Sequence, residues 1–302
     1  MLKKFKTLLL SMITIILSVT LVACGNSNDS KKSNNDKENI QVTASVNFYA
    51  DVAKAVLGNN GQVNTIIDSN IDPHDFEPTT GDAKTLAKTD VAIQNGLGYD
   101  GWMNNLIKNT SNVKNNINVG TLMNKKNGDN PHIWYNPETM NKLADKLATS
   151  FSKIDPKHKN EFKANANKYK KEWQKTTNLV NKLKKNSHGK AVATSEPVFD
   201  YSLTAMGYKF KDNEFAHAME HGIDPSAKEI AEIQNDIKNH KVAFFVNNSQ
   251  VQNSVVEGLV KLAKKNNVPV VNVTESAPKG KNYMQWMQSQ YKQVEKIQNN
   301  HK

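Results

Sequence analysis

Two histidines and two glutamates stand where a folded chain can gather distant side chains around one point. His74 lies in Asp72-Pro73-His74-Asp75-Phe76-Glu77-Pro78, and His132 in Pro131-His132-Ile133-Trp134. Glu196 follows the apolar run Ala191–Thr194, and Glu275 follows Val268–Val273. Imidazole and carboxylate both donate to divalent cations, and two of each form a mixed nitrogen–oxygen set carrying two negative charges. Such a set balances a doubly charged ion and needs neither water nor substrate to complete four-coordination. Each residue alone says little. A loop histidine is commonly structural or solvated, and Glu196 is also placed to cap a helix starting near Pro197.

A second cluster lies in His217-Ala218-Met219-Glu220-His221, where two histidines four apart would share one helix face. Such a pair can bind zinc; the bland alternative is two solvated surface histidines. Metalloproteases place glutamate directly after the first histidine, whereas Glu220 directly precedes the second. The general-base geometry of a metal-dependent hydrolase is therefore not reproduced. Neither a glycine-rich phosphate loop nor a serine nucleophile elbow is present in the sequence.

The elements that must carry these residues alternate between strand and helix patterns. Ile40–Val46, Val63–Ile67 and Asp90–Gln94 read as strands, with helices expected over Phe48–Leu57 and Asp82–Lys88. A helix is expected over Pro137–Phe151. Phe162, Ala166, Tyr169, Trp173, Thr176, Val180 and Leu183 then recur in steps of four and three, the stripe of one long helix. The alternation restarts beyond it. Strands are expected over Ala191–Thr194, Val242–Val246 and Val268–Val273, and helices over Val198–Met206, Asp224–Asn239, Ser254–Lys265 and Tyr283–Gln298. Strand–helix–strand alternation predicts an α/β fold of parallel βαβ units. The whole reads as two (βα) lobes, residues 40–151 and 187–302, joined by one spine helix over 152–186. Ligands gather beyond the carboxyl ends of parallel strands, so the four candidate donors are expected to meet in a cleft between the lobes.

The amino terminus points to where the protein works. Lys3, Lys4 and Lys6 precede an apolar run from Leu8 to Val22, the layout of a secretory signal over residues 1–23. Leu21-Val22-Ala23-Cys24-Gly25 resembles a bacterial lipobox, which implies cleavage before Cys24 and lipid on its sulfur. The alternatives are an ordinary secreted protein with a spare thiol, or an uncleaved signal anchor. Cys24 is the only cysteine, which excludes an intrachain disulfide or a multi-thiolate metal site. Asn26–Asn39 has no apolar side chain, so residues 24–39 read as a flexible tether. All forty basic residues are lysine, and the formal net charge is +11. Without arginine forks or an aromatic stacking motif, this basicity argues against nucleic acid and for attraction to an anionic cell surface.

Across nearly the whole mature chain the sequence resembles the zinc- and manganese-binding lipoproteins that serve ABC transporters. The carrying stretches are Pro73-His74-Asp75-Phe76-Glu77-Pro78 and Pro131-His132-Ile133-Trp134. Looser ones are Thr194-Ser195-Glu196 with Phe199 and Tyr201, and Val273-Thr274-Glu275 with Gly280 and Tyr283. The resemblance implies two lobes on one long helix, one ligand each from His74, His132, Glu196 and Glu275, and a bound ion that is cargo. It implies an extracytoplasmic, membrane-anchored monomer that is not an enzyme and that hands Zn²⁺ or Mn²⁺ to an ABC permease. A surface adhesin with incidental metal binding, or a metal-dependent hydrolase, are the competing readings. Two departures stand out. The last ligand is commonly Asp in the family, where this chain has Glu275. The region Thr121–Asn130 lacks the histidines that many zinc-specific members carry.

Overall fold

The computed structural model describes residues 39–68, 76–211 and 213–300. Cys24, the signal segment, nearly all of the expected tether and His74 lie outside the described residues. Among the described residues no helix is long and apolar enough to cross a membrane.

Two four-stranded sheets, every pairing parallel, organise the chain. The first is built from β1 (Ile40–Val46), β2 (Gly61–Ile67), β3 (Val91–Gln94) and β4 (Asn115–Asn118), in the order β2-β1-β3-β4. Its helices are α1 (Asn47–Leu57), α2 (Thr80–Leu86), α3 (Gly101–Lys108) and the single turn α4 (Val119–Leu122). α5 (Thr139–Ile154) and the long α6 (Lys159–Ser187) follow. The second sheet comprises β5 (Ala191–Thr194), β6 (Lys209–Lys211), β7 (Phe245–Asn248) and β8 (Val270–Val273), in the order β6-β5-β7-β8. Around it lie α7 (Asp200–Ala205), α8 (Asn213–Glu220), α9 (Ala227–Lys238), α10 (Ser254–Lys265) and α11 (Tyr283–Asn300). The two sheets thus share one topology. In each, the strand order reverses between the first and third strands, which opens a crevice at their carboxyl ends.

The spine buries the stripe that its periodicity predicts: Phe162, Ala166, Tyr169, Trp173, Thr176, Val180 and Leu183 are all buried. It starts at Lys159 rather than near residue 152, because Asp155-Pro156 breaks the chain after α5. Proline lacks the N–H and crowds the preceding turn. The Asp155 carboxylate instead accepts from the amides of Lys157 and His158 in a 3₁₀ turn, Pro156–His158. α6 packs against α1 and α5 on one side and α11 on the other, so it touches elements associated with both sheets. Trp173 anchors the middle: its ring stacks on Tyr283 at 5.2 Å, and its Nε1 donates to the Pro137 carbonyl at 2.8 Å.

One apolar core runs through both halves, with Phe48 and Trp134 meeting Phe199, Trp286 and Tyr291. A cluster of hydrogen bonds crosses the same boundary. Asn130 Nδ2 donates to the Pro197 carbonyl at 2.7 Å, and Tyr201 Oη to the Asn130 carbonyl at 2.9 Å. Ser202 Oγ donates to the Tyr135 carbonyl, and Tyr135 Oη to the Thr274 carbonyl at 2.5 Å. Tyr283 Oη donates to the Trp134 carbonyl.

Candidate metal centre

His132 immediately precedes a 3₁₀ turn, Ile133–Tyr135, and its loop is hydrogen-bonded to the carboxyl end of β3 through Asn95. The chain leaves β3 through Asn95-Gly96. Gly96 has φ +75°, and a Cβ there would lie 2.4 Å from the Asn118 side chain, so only glycine fits. The buried Asp100 carboxylate accepts from the amides of Asn95 (2.6 Å) and Gly96 (2.8 Å) and holds this turn. Asn95 is thereby placed to accept from Tyr49 Oη at 2.5 Å and to donate from Nδ2 to the Pro131 carbonyl at 3.0 Å. The residue before His132 is thus tied to the first sheet. Asn130 completes the hold: its Oδ1 accepts from the His132 amide at 2.9 Å and lies 2.8 Å from His132 Nδ1. A neutral imidazole that donates from Nδ1 leaves Nε2 as the free donor to a metal. Nε2 faces the Glu275 carboxylate at 3.6 Å.

Glu196 and Asn248 leave the carboxyl ends of β5 and β7, the crevice of the second sheet. Ser195 links the two strands: its amide donates to the Val246 carbonyl, and its Oγ accepts from the Asn248 amide at 2.9 Å. Glu196 occupies the cap position of the turn Pro197–Phe199 but makes no capping bond with its side chain. Its carboxylate accepts instead from Asn248 Nδ2 at 2.6 Å. The capping alternative for Glu196 therefore gives way to a buried carboxylate held by an amide. Glu275 follows β8, next to Thr274, whose amide bonds Gln290 and whose hydroxyl accepts from Trp286 Nε1.

His132 and Glu196 are buried, at 2 % and 7 % exposure. Burial pushes the His132 pKa down, but a hydrogen bond with Glu275 and the charges of Glu275, Glu220 and Glu196 outweigh it, so the value lies above that of free imidazole. Burial raises the Glu196 pKa; the Asn248 bond opposes this, and the charge of Glu275 adds to the rise. Asp200 is pushed up to about 7 by burial, partly offset by His132 and reinforced by Glu220. The centre is therefore one imidazole crowded by anionic groups. Like charges held close in a low-dielectric setting disfavour ionisation, and a cation placed among them would offset that cost.

Of the four expected donors, the structure brings His132, Glu196 and Glu275 into one electrostatic neighbourhood, while His74 lies outside the described residues. Among the described residues no three His, Cys, Asp or Glu side chains already form a coordination shell. Sequence reasoning missed three participants. Glu220 Oε1 lies 3.5 Å from His132 Nδ1, which joins the His217–His221 segment to the centre. Asn248 and Asn130 orient Glu196 and His132. Asn248 stands at a strand's carboxyl end and was findable by the crevice rule; Glu220 was not, because only the tertiary fold carries α8 to His132.

The family described as "Zinc-uptake complex component A periplasmic" matches residues 42–297. The chain belongs to the zinc-uptake complex component A family. It is 30% identical over 220 residues to a metal ABC transporter substrate-binding lipoprotein of Lactococcus lactis subsp. lactis, an alignment covering 67% of this chain and 68% of the relative. It is 25% identical to the manganese-binding lipoprotein MntA of Bacillus subtilis, covering 80% and 83%. Among solved structures, the Mn-bound periplasmic metal binding protein of Candidatus Liberibacter asiaticus superposes with a TM-score of 0.68 at 18% identity, covering 85% of this chain and 98% of the other. FpvC of P. aeruginosa, in complex with Ni²⁺, gives 0.68 at 19% identity, covering 87% and 98%. These neighbours share the fold of this zinc-uptake family member: two parallel sheets on a long helix.

Proposed function

We propose that this chain captures one divalent transition-metal ion, Zn²⁺ or Mn²⁺, outside the cytoplasm and passes it to an ABC permease. The observation that carries the reading is His132: a buried imidazole whose Nδ1 is held by Asn130, whose Nε2 faces Glu275, and whose surroundings carry the charge of three glutamates. His132, Glu196 and Glu275 each supply a ligand, and His74 supplies the fourth. Imidazole nitrogen suits zinc, and two carboxylates able to bind through both oxygens suit manganese at higher coordination number.

The ion is cargo and the protein is not an enzyme. Four protein ligands fill a tetrahedral shell and leave no open position for an activated water. Membership of a family whose relatives are named as transporter substrate-binding lipoproteins supports the transport role and the extracytoplasmic location. Cys24 carries the lipid that keeps the monomer at the membrane. One acyl chain holds a protein marginally and a second makes attachment stable, at ~0.8 kcal/mol per buried methylene.

Elemental analysis of the purified chain, with competitive titration of Zn²⁺ against Mn²⁺, tests the reading. One tightly held ion is expected, with affinity falling at least about a hundredfold in His132→Ala, His74→Ala or Glu196→Ala, beyond the usual effect of an outer-sphere change. A variant that keeps wild-type affinity for both metals removes that residue from the ligand set. Failure of the wild-type chain to bind either ion removes the function.

A further inference from the structure

Glu220 ends α8 and points both ways. One oxygen, Oε1, lies 3.5 Å from His132 Nδ1; the other, Oε2, lies 3.5 Å from His217 Nδ1 and 3.9 Å from His221 Nδ1. The inner imidazole is 2 % exposed, Glu220 16 %, and the outer pair 59 % and 64 %. A single carboxylate thus spans the step from solvent to the buried centre. The outer three line an open cavity of about 560 Å³, whose other wall includes Asp129 and Asn130.

We propose that His217, Glu220 and His221 form a second, outer cation site for a borderline divalent ion of the Zn²⁺ type, with Glu220 shared between it and His132. Two donors bound to one tetrahedral ion at roughly 2.1 Å sit about 3.4 Å apart, close to the His217–Glu220 separation. His221 Nδ1 bonds the His217 carbonyl at 2.8 Å, so its Nε2 is the nitrogen left for metal. Both rings are exposed, so the rotation that closes the shell meets little packing. Three protein ligands leave one position open to water, which makes the site weaker and faster than a full four-donor shell. An ion held there sits one carboxylate away from His132. Only this last sharing rests on the proposed role of His132; the outer site stands without it.

Titrating the full-length chain in detergent with Zn²⁺ tests the inference. Two ions are expected, one tight and one weaker. In His217→Ala/His221→Ala the weaker event disappears and the tight one remains; Glu220→Gln weakens the outer event at least tenfold. Glu275→Gln and His132→Ala weaken the tight event and leave the outer one. One ion bound by the wild-type chain, or two still bound by the double-histidine variant, overturns the outer site. Equal outer affinity in Glu220→Gln reduces it to two independent surface histidines and overturns it as well. Unchanged tight binding in both Glu275→Gln and His132→Ala overturns the inner assignment instead.

Discussion

Asp200 offers a direct measure of what burying a carboxylate beside the centre costs the metal-free fold. It opens α7, its Oδ1 is buried without a hydrogen-bond partner among the described residues, and its pKa stands at about 7 against an ordinary 3.8. A folded pKa above the unfolded one means that the native state prefers the protonated acid. Well below the unfolded value of 3.8 both states are protonated and no penalty exists. As pH rises from there the unfolded chain ionises first, so the native state loses stability until its own carboxyl titrates near pH 7. Three pKa units correspond to roughly 4 kcal/mol at 1.36 kcal/mol each, a ceiling that solvent screening lowers to about 2 kcal/mol. Asp200→Asn keeps the shape and removes the charge. With chelator present, urea unfolding followed by tryptophan fluorescence should find the variant equal to wild type at about pH 3, roughly a unit below the unfolded pKa. At pH 7.5 it should be more stable by about 2 kcal/mol, a large share of a total of about 5–15 kcal/mol. A variant less stable at pH 7.5, or a difference independent of pH, would refute the claim that the buried Asp200 carboxylate destabilises the metal-free fold.

The same electrostatics make metal affinity depend on protons. His132 must be neutral to coordinate, and its pKa lies above that of free imidazole. Affinity should therefore begin to fall above pH 6.5 on acidification, by up to about tenfold per pH unit for each proton displaced; calorimetry from pH 8 to 5.5 reads the slope, and a flat affinity between pH 8 and 6 contradicts it. Asn248→Ala removes the amide that holds Glu196 at 2.6 Å. It should weaken metal binding by about 10–100-fold with the thermal unfolding of the metal-free protein little changed, and unaltered affinity would show that Asn248 does not position Glu196.

Apolar patterning explains which elements were legible in the sequence. β1 and β5 appear at the expected residues because each is a short, almost wholly buried run, and α10 because its buried Val256, Leu259 and Ala263 recur at helix spacing. β4 escaped because Asn115-Asn116-Ile117-Asn118 offers one apolar side chain to an edge strand, and β6 because Phe210 stands alone between lysines. β7 begins three residues later than the apolar run Val242–Val246. Val242 and Phe244 are buried as packing residues, while the ladder continues into Asn247, which bonds Asn272, and Asn248, which bonds Glu196. That His132, Glu196 and Glu275 share one neighbourhood was legible from local motif and position. Of their neighbours, Asn248 was findable from its place at the carboxyl end of β7, whereas Asn130 and Glu220 meet His132 only through the fold.

The frame and the centre place opposite demands on the molecule. Five hydrogen bonds cross between the halves at the backbone of residues 130–135, 197 and 274, and one apolar core with Trp134 and Trp286 fills the space behind them. Opening the halves as rigid bodies would break those bonds together and expose that core. Each broken and buried hydrogen bond costs about 1–3 kcal/mol, so wide opening is far dearer than a local shift. The centre supplies a cheaper route. Glu220 and Glu275 are its more exposed anionic groups, at 16 % and 17 %, and they reach His132 by side chains, not by the backbone of the braces. In the proposed site, rotating Glu275 away or protonating His132 would remove a ligand without moving a sheet, and Glu220 can turn as well. On the proposed function, capture and release would divide between parts of different stiffness: Asn130 and Asn248 hold His132 and Glu196 in place, and the more exposed carboxylates of Glu220 and Glu275 would move.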